Sequence, residues 1–201
     1  MPQGRLNRMK ETIGILGGSF NPVHIGHLML ASYLSQWGYV DKVWLTLSPL
    51  NPLKEVSALI ADTGRLAMLD IAAKGMTGTE VCDIELSMPR PSYTIDTLDE
   101  LARRYPDKQF RLIIGSDNWL VFDRWREPER ILADYGIIVY PRPGYDVTAE
   151  MMRPGMTLAD APVADISSTF IRAAIADGKD MTAFLPPGVF KYINDNKLYR
   201  R

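Results

Sequence analysis

Two hydrophobic periods alternate along the chain. Short β-rich apolar runs stop at glycines, and between them apolar residues recur every three or four positions, the spacing of one helix face. Thr12 to Leu16 is the first such run and ends at Gly17 and Gly18. From about Val23 to Trp37, the residues Leu30, Tyr33, Leu34 and Trp37 fall at helical spacing before Gly38. Lys42 to Leu47 predicts a second buried strand, followed by a loop Ser48 to Lys54 with two prolines, and Thr63 to Lys74 predicts a helix closed by Gly75. Thr79 to Leu86 is the third strand candidate. After Pro89 and Pro91 a helix is expected from Thr94 to Tyr105, with Ile95, Leu98, Leu101, Ala102 and Tyr105 on one face and Pro106 ending it. Phe110 to Ile114 predicts a strand broken at Gly115, Pro128 to Asp134 a short helix with proline in its first turn, and Gly136 to Tyr140 a further strand. Val163 to Ile166 reads as the last strand. Ser167 and Ser168 are placed to cap a helix carrying Phe170, Ile171, Ala174 and Ile175 and ending at Gly178, and a final short helix follows Pro187.

Strands alternating with helices predict an α/β fold with a doubly wound parallel sheet and helices on both faces, since a parallel crossover needs a helix to bring the chain back. Ligands of such sheets sit at the carboxyl ends of the strands. That rule points to Gly17–Asn21, Ser48–Lys54, Gly115–Asp117 and the Ser167 cap. Residues 1–11 read as a polar leader that could be disordered, with Met9 an alternative start. Residues 12–201 read as one domain, including a small helical part from about residue 167.

Composition narrows the function. The 201 residues carry 23 Lys and Arg against 24 Asp and Glu, a net charge of −1, so no basic excess advertises nucleic-acid or anionic-membrane binding. A single cysteine, Cys82, allows no internal disulfide or cysteine-rich zinc site and fits a reducing, cytoplasmic compartment. No apolar run is long enough for a signal peptide core or a membrane span. The sequence names no protein partner; a homo-oligomer is compatible with it.

The richest chemistry lies where the first strand hands over to the first helix, at Gly17-Gly18-Ser19-Phe20-Asn21-Pro22-Val23-His24-Ile25-Gly26-His27. Two glycines let the backbone turn and approach a ligand, and the helix start presents N–H groups to an anion, which outlines a phosphate cradle. His24 and His27, the only two histidines, are three residues apart and so project to one helix face, with Gly26 between them leaving room for a ligand. Two imidazoles without a third ligand fall short of a zinc site, so phosphate contact is the reading preferred. No Asp/Glu pair stands out as a magnesium cage.

This segment resembles the GxFxPxHxGH signature of a nucleotidyltransferase superfamily with a HIGH-type fold, and Ile166-Ser167-Ser168-Thr169-Phe170-Ile171-Arg172 resembles its ISSTxxR signature. Further segments resemble one member family, the bacterial nicotinate mononucleotide adenylyltransferases. These are Pro91 to Leu98, Ile114 to Asp117, Trp125, Arg142 to Tyr145, and Leu185-Pro186 to Tyr199, so the likeness spans about residues 12 to 201. The resemblance implies adenylyl transfer from ATP to nicotinate mononucleotide, giving nicotinate adenine dinucleotide and pyrophosphate. The substrate phosphate is itself the nucleophile, which agrees with the lack of a visible triad.

The resemblance also implies site residues. His24, His27 and Arg172 would be catalytic. Gly17, Gly18, Ser19, Phe20, His24, His27, Ser168, Thr169 and Arg172 would bind ATP, with Mg²⁺ carried on the phosphates. Lys54 joins them as an ATP contact or stands as a solvated lysine, because Asn51 and Leu53 replace the proline and histidine of the family's PPHK loop. Asn21 stands where the superfamily often has Asp. Trp125 would stack on the pyridine ring, Thr94 and the Arg126 backbone N–H would receive its carboxylate, Asp117 would orient the mononucleotide, and Arg142 would meet its phosphate. Phosphopantetheine and nicotinamide mononucleotide are alternative acceptors, and a non-catalytic nucleotide-binding regulator is the alternative from another class. The chain is short, not basic and without a KMSKS-like segment, which argues against an aminoacyl-tRNA synthetase despite His24-Ile25-Gly26-His27.

Overall fold

The structure, a computed structural model, describes residues 10–49 and 60–200. Six strands, β1 (Glu11–Gly18), β2 (Lys42–Leu47), β3 (Thr79–Cys82), β4 (Lys108–Gly115), β5 (Ile137–Tyr140) and β6 (Met156–Leu158), form one sheet in the order β3-β2-β1-β4-β5-β6. Every neighbouring pair is parallel. Helices α1 (Ile25–Gln36), α2 (Asp62–Ala73), α3 (Thr94–Arg104), α4 (Ser116–Trp119), α5 (Pro128–Arg130), α6 (Ser168–Ala176) and α7 (Val189–Asp195) complete it.

Period-two alternation in the central strands feeds two cores. Ile13 and Ile15 of β1 with Phe110, Leu112 and Ile114 of β4 join α3 residues Ile95, Leu98 and Leu101 on one face. Leu16 and Ile113 point the other way and meet Leu30, Ala31 and Leu34 of α1, Met68, Leu69 and Ala72 of α2, and Ile171 of α6. Each fully buried Leu or Ile contributes roughly 1.5–3 kcal/mol, so these two stripes fix the register. The connections out of β1 and β2 run over one face and the connection out of β4 over the other. Neighbouring strands β1 and β4 therefore part company at their carboxyl ends, and the crevice of a doubly wound fold opens between them.

Several expected boundaries shift. The third strand ends at Cys82 rather than Leu86: this sheet edge pairs with β2 only from Thr79 to Cys82, and the chain then leaves as a 3-10 turn at Ile84–Ser87. Val163 to Ile166 is not a strand; Val163 is exposed, and the Ile166 amide closes on the Ala164 carbonyl at 2.9 Å. The last strand is instead Met156–Leu158, whose three residues are too few to carry a period. The helix predicted from Pro128 to Asp134 is α5 continued by a π-turn at Ile131–Tyr135. Trp37 is 63% exposed and lies on the Tyr33 ring at 4.7 Å rather than in the core. Phe170 is also exposed, edge-on to Phe184.

Candidate active site

Strand β1 delivers Gly17 and Gly18 to the crevice. Ser19 follows, and then Phe20 takes a left-handed backbone conformation with φ of 43°. That geometry costs a non-glycine residue on the order of 1 kcal/mol. Burial holds it, with the Phe20 ring edge-on to His27 at 5.0 Å. A Cβ at Gly18 would press on the buried Phe20 ring at 3.2 Å, so a side chain fits there only if the ring gives by a few tenths of an ångström.

His24 is the N-cap of α1, in extended backbone, and His27 lies one turn later. Their rings stack at 3.7 Å. The His24 backbone N–H donates to Nδ1 of His27 at 3.1 Å, so the His27 ring is neutral and keeps its proton on Nε2. Nδ1 of His24 is buried with no hydrogen-bond partner among the described residues. Gly26 does leave close room, but the His24 ring fills it: a Cβ there would stand 3.1 Å from Nδ1. Burial, and then the nearby Arg142 charge, push His24 down to about 4. Burial, then His24 and Arg142, hold His27 well below the ordinary histidine range. At neutral pH the pair therefore offers neutral donors and acceptors.

The start of α6 closes the other side. Ser167 caps it, its Oγ accepting the Phe170 N–H at 3.1 Å. Ser168 donates its hydroxyl to the Pro22 carbonyl at 2.8 Å. Arg172 donates to the Asn21 carbonyl at 2.8 Å and to Thr169 Oγ1 at 3.3 Å. The second signature is thus bound to the backbone at Asn21 and Pro22, just before His24. Tyr199 adds a hydrogen bond to Asn21 Oδ1 at 2.7 Å.

On the other flank a cavity of about 300 Å³ runs along the carboxyl ends of β1 and β4. Gly17, Gly18 and Ser19 form one end, and Thr94, Trp125 and Tyr140 lie further along it. Trp125 is half-buried and rests against Phe122 at 5.4 Å, leaving a ring facing the cavity. Thr94 is the first residue of α3. Glu85, delivered by the 3-10 turn after β3, accepts the Thr97 hydroxyl at 3.0 Å, and burial pushes its carboxyl up.

The predicted residues thus fall into three groups. Gly17, Gly18, Ser19, Thr94 and Trp125 share the cavity. Phe20 and His24 pack on His27, while Ser168 and Arg172, the latter also bonded to Thr169, hold the Pro22 and Asn21 carbonyls of the same segment. Asp117 and Arg142 form an ion pair at 3.7 Å beyond Gly115 and do not line that cavity; Arg142 borders a second one, of about 490 Å³, with Ser116, Tyr145 and Asp160. The Arg126 side chain lies over the Tyr93 ring at 4.9 Å, outside the cavity lining. Lys54 lies outside the described residues.

The sequence reading missed Arg65, Glu85, Thr97 and Tyr199. Arg65 carried a signal: with Met68, Leu69 and Ala72 it sits at core spacing on α2, an arginine where an apolar residue belongs. Tyr199 carried none.

Known proteins resemble this chain. The cytidylyltransferase-like family matches residues 15–174. A probable nicotinate-nucleotide adenylyltransferase of Bacteroides fragilis is 50% identical over 184 residues, 92% of each chain. The chain belongs to the nicotinate-nucleotide adenylyltransferase family. Another relative in that family, the probable enzyme of Flavobacterium johnsoniae, is 40% identical over 191 residues, 94% of this chain and 99% of its own. Among solved structures, the nicotinic acid mononucleotide adenylyltransferase of Plasmodium falciparum complexed with NaAD shares the fold, with a TM-score of 0.79 at 21% identity over 94% of this chain and 97% of that one.

Proposed function

We infer that this protein transfers the adenylyl group of ATP to nicotinate mononucleotide, forming nicotinate adenine dinucleotide and pyrophosphate in NAD biosynthesis. Family membership at 50% identity across nearly the whole chain carries this reading. The site is chemically suited to it. An oxygen of the mononucleotide phosphate attacks the α-phosphorus, the bond to the bridging oxygen of the β-phosphate breaks, and pyrophosphate leaves with that oxygen. No protein nucleophile is required; the residues position two polyanions and stabilise the charge on the departing group.

In this reading His24 and His27, both neutral, donate N–H groups to the triphosphate without competing for its protons. Arg172, anchored on Asn21, directs its remaining N–H groups toward the β and γ phosphates, with Ser168 and Thr169 at the helix start beside it. Gly17, Gly18 and Ser19 supply the close backbone approach. Trp125 receives the pyridine ring in the cavity, and Thr94 with the Arg126 backbone N–H receives its carboxylate. Among the described residues no group of three or more metal-ligating side chains converges. Mg²⁺ is read as part of the nucleotide substrate, bound to its phosphates and reducing their charge. The single cysteine fits a cytoplasmic address, and no described helix is long and apolar enough to cross a membrane.

The test is pyrophosphate release from ATP·Mg²⁺ with nicotinate mononucleotide, nicotinamide mononucleotide or 4′-phosphopantetheine offered in parallel. The expected result is preference for the first. Preference for phosphopantetheine would remove the pyridine pocket while sparing the phosphate cradle. ATP binding without release in any arm would favour a non-catalytic regulator.

A further inference from the structure

Arg65 is wholly buried, 0% exposed, at a position of α2 whose neighbours in register, Met68, Leu69 and Ala72, are apolar. Packing alone would be better served there by a hydrocarbon, because a buried guanidinium must be paired to offset the loss of its water. Its pairing is specific. One terminal nitrogen donates to the Ser19 carbonyl at 2.5 Å and to the Ser48 carbonyl at 2.9 Å, and the other donates to Asp62 Oδ1 at 2.6 Å. Ser19 ends the glycine turn of β1, Ser48 begins the loop after β2, and both line the cavity. The Ser48 N–H also donates to the Gly18 carbonyl at 2.9 Å, so the two loops already touch. The second carboxylate oxygen of Asp62 holds Arg90 at 2.9 Å, in the segment that leads into α3 and Thr94. One buried fork therefore joins two rims of the cavity and, through Asp62, is linked to the segment that enters α3.

We propose that Arg65 is a positioning residue for adenylyl transfer: it fixes the Ser19 turn relative to the Ser48 loop and, through Asp62 and Arg90, relative to the start of α3, so that the two phosphates meet at reacting distance. The inference rests on the adenylyl-transfer reading above. A planar fork can hold both carbonyls and the carboxylate at once. A lysine ammonium, compact and without that plane, cannot reproduce the three directions.

The test compares wild type, Arg65→Lys and Asp62→Asn. For each, kcat and the KM of both substrates are measured, together with the stoichiometry of ATP·Mg²⁺ binding by calorimetry and the melting temperature. Arg65→Lys is expected to lower kcat/KM for both substrates about 10- to 100-fold, the usual consequence of misplacing reacting groups by about an ångström. Its binding stoichiometry should stay near that of wild type. Asp62→Asn should lower kcat/KM about threefold to tenfold. Wild-type constants in Arg65→Lys overturn the proposal. So does a fall in kcat matched by an equal fall in binding stoichiometry, because that is loss of folded protein and not misalignment. If Arg65→Lys does not fold, Asp62→Asn decides, and wild-type constants there overturn the proposal. Wild-type protein that binds ATP but transfers to no acceptor would instead overturn the functional reading, and this inference with it.

Discussion

Acid should unfold this protein through its histidine pair. His24 is 6% exposed, and burial with the Arg142 charge behind it lowers its pKa from 6.5 to about 4. In the unfolded chain the same imidazole titrates near 6.5. Between these values the unfolded state takes a proton that the folded state refuses. The stability His24 contributes is thus fully present above about pH 6.5 and is lost as pH falls toward about 4. The loss is about 2 kcal/mol at pH 5 and approaches about 3 kcal/mol below pH 4. His27 is lowered by the same causes and adds in the same direction. Urea unfolding at a series of pH values measures the effect, with His24→Gln as the comparison. Wild type should lose about 2 kcal/mol more than the variant between pH 7 and pH 5. Parallel stability curves for the two proteins would refute the reasoning, because they would mean that the His24 ring is solvated or already charged in the native state. For the same reason kcat/KM, which reports the free enzyme, should show no histidine titration near pH 6.5.

Trp125→Ala should raise the KM for nicotinate mononucleotide about tenfold, worth ~1.4 kcal/mol, and leave the KM for ATP within about twofold; equal changes in both would place the ring elsewhere. Gly115→Ala should cost no more than about 1 kcal/mol of stability, read as a slightly lowered melting temperature, because the new Cβ displaces the partly exposed Asp117 and Arg142 side chains and no backbone.

The fold was legible where its elements are long and one-sided. The α3 stripe of Ile95, Leu98 and Leu101 and the β1 run ending at two glycines each announce themselves through period and punctuation. The edge strand β6 did not. Met156–Leu158 takes its strand geometry from pairing with β5, not from its own pattern, and Val163 and Ile166 are apolar without being part of the sheet. That the two motifs come together was legible because each is contiguous in sequence, at Gly17 to His27 and at Ile166 to Arg172. What stayed hidden is what three dimensions assemble. Glu85 enters the cavity only because the chain turns at Cys82, and Tyr199 reaches Asn21 across 178 positions. Arg65 stands out only once its place in the core register of α2 is read.

If the histidine pair acts on the reaction and not merely on nucleotide binding, loss of His24 slows transfer more than it weakens ATP binding. The most direct measurement is single-turnover adenylyl transfer by His24→Ala, set beside its ATP·Mg²⁺ affinity. The expected result is a rate reduced about 100-fold or more with affinity changed less than tenfold. A rate that falls only as far as the affinity does would contradict it, leaving His24 a binding group and the charge stabilisation to be sought elsewhere.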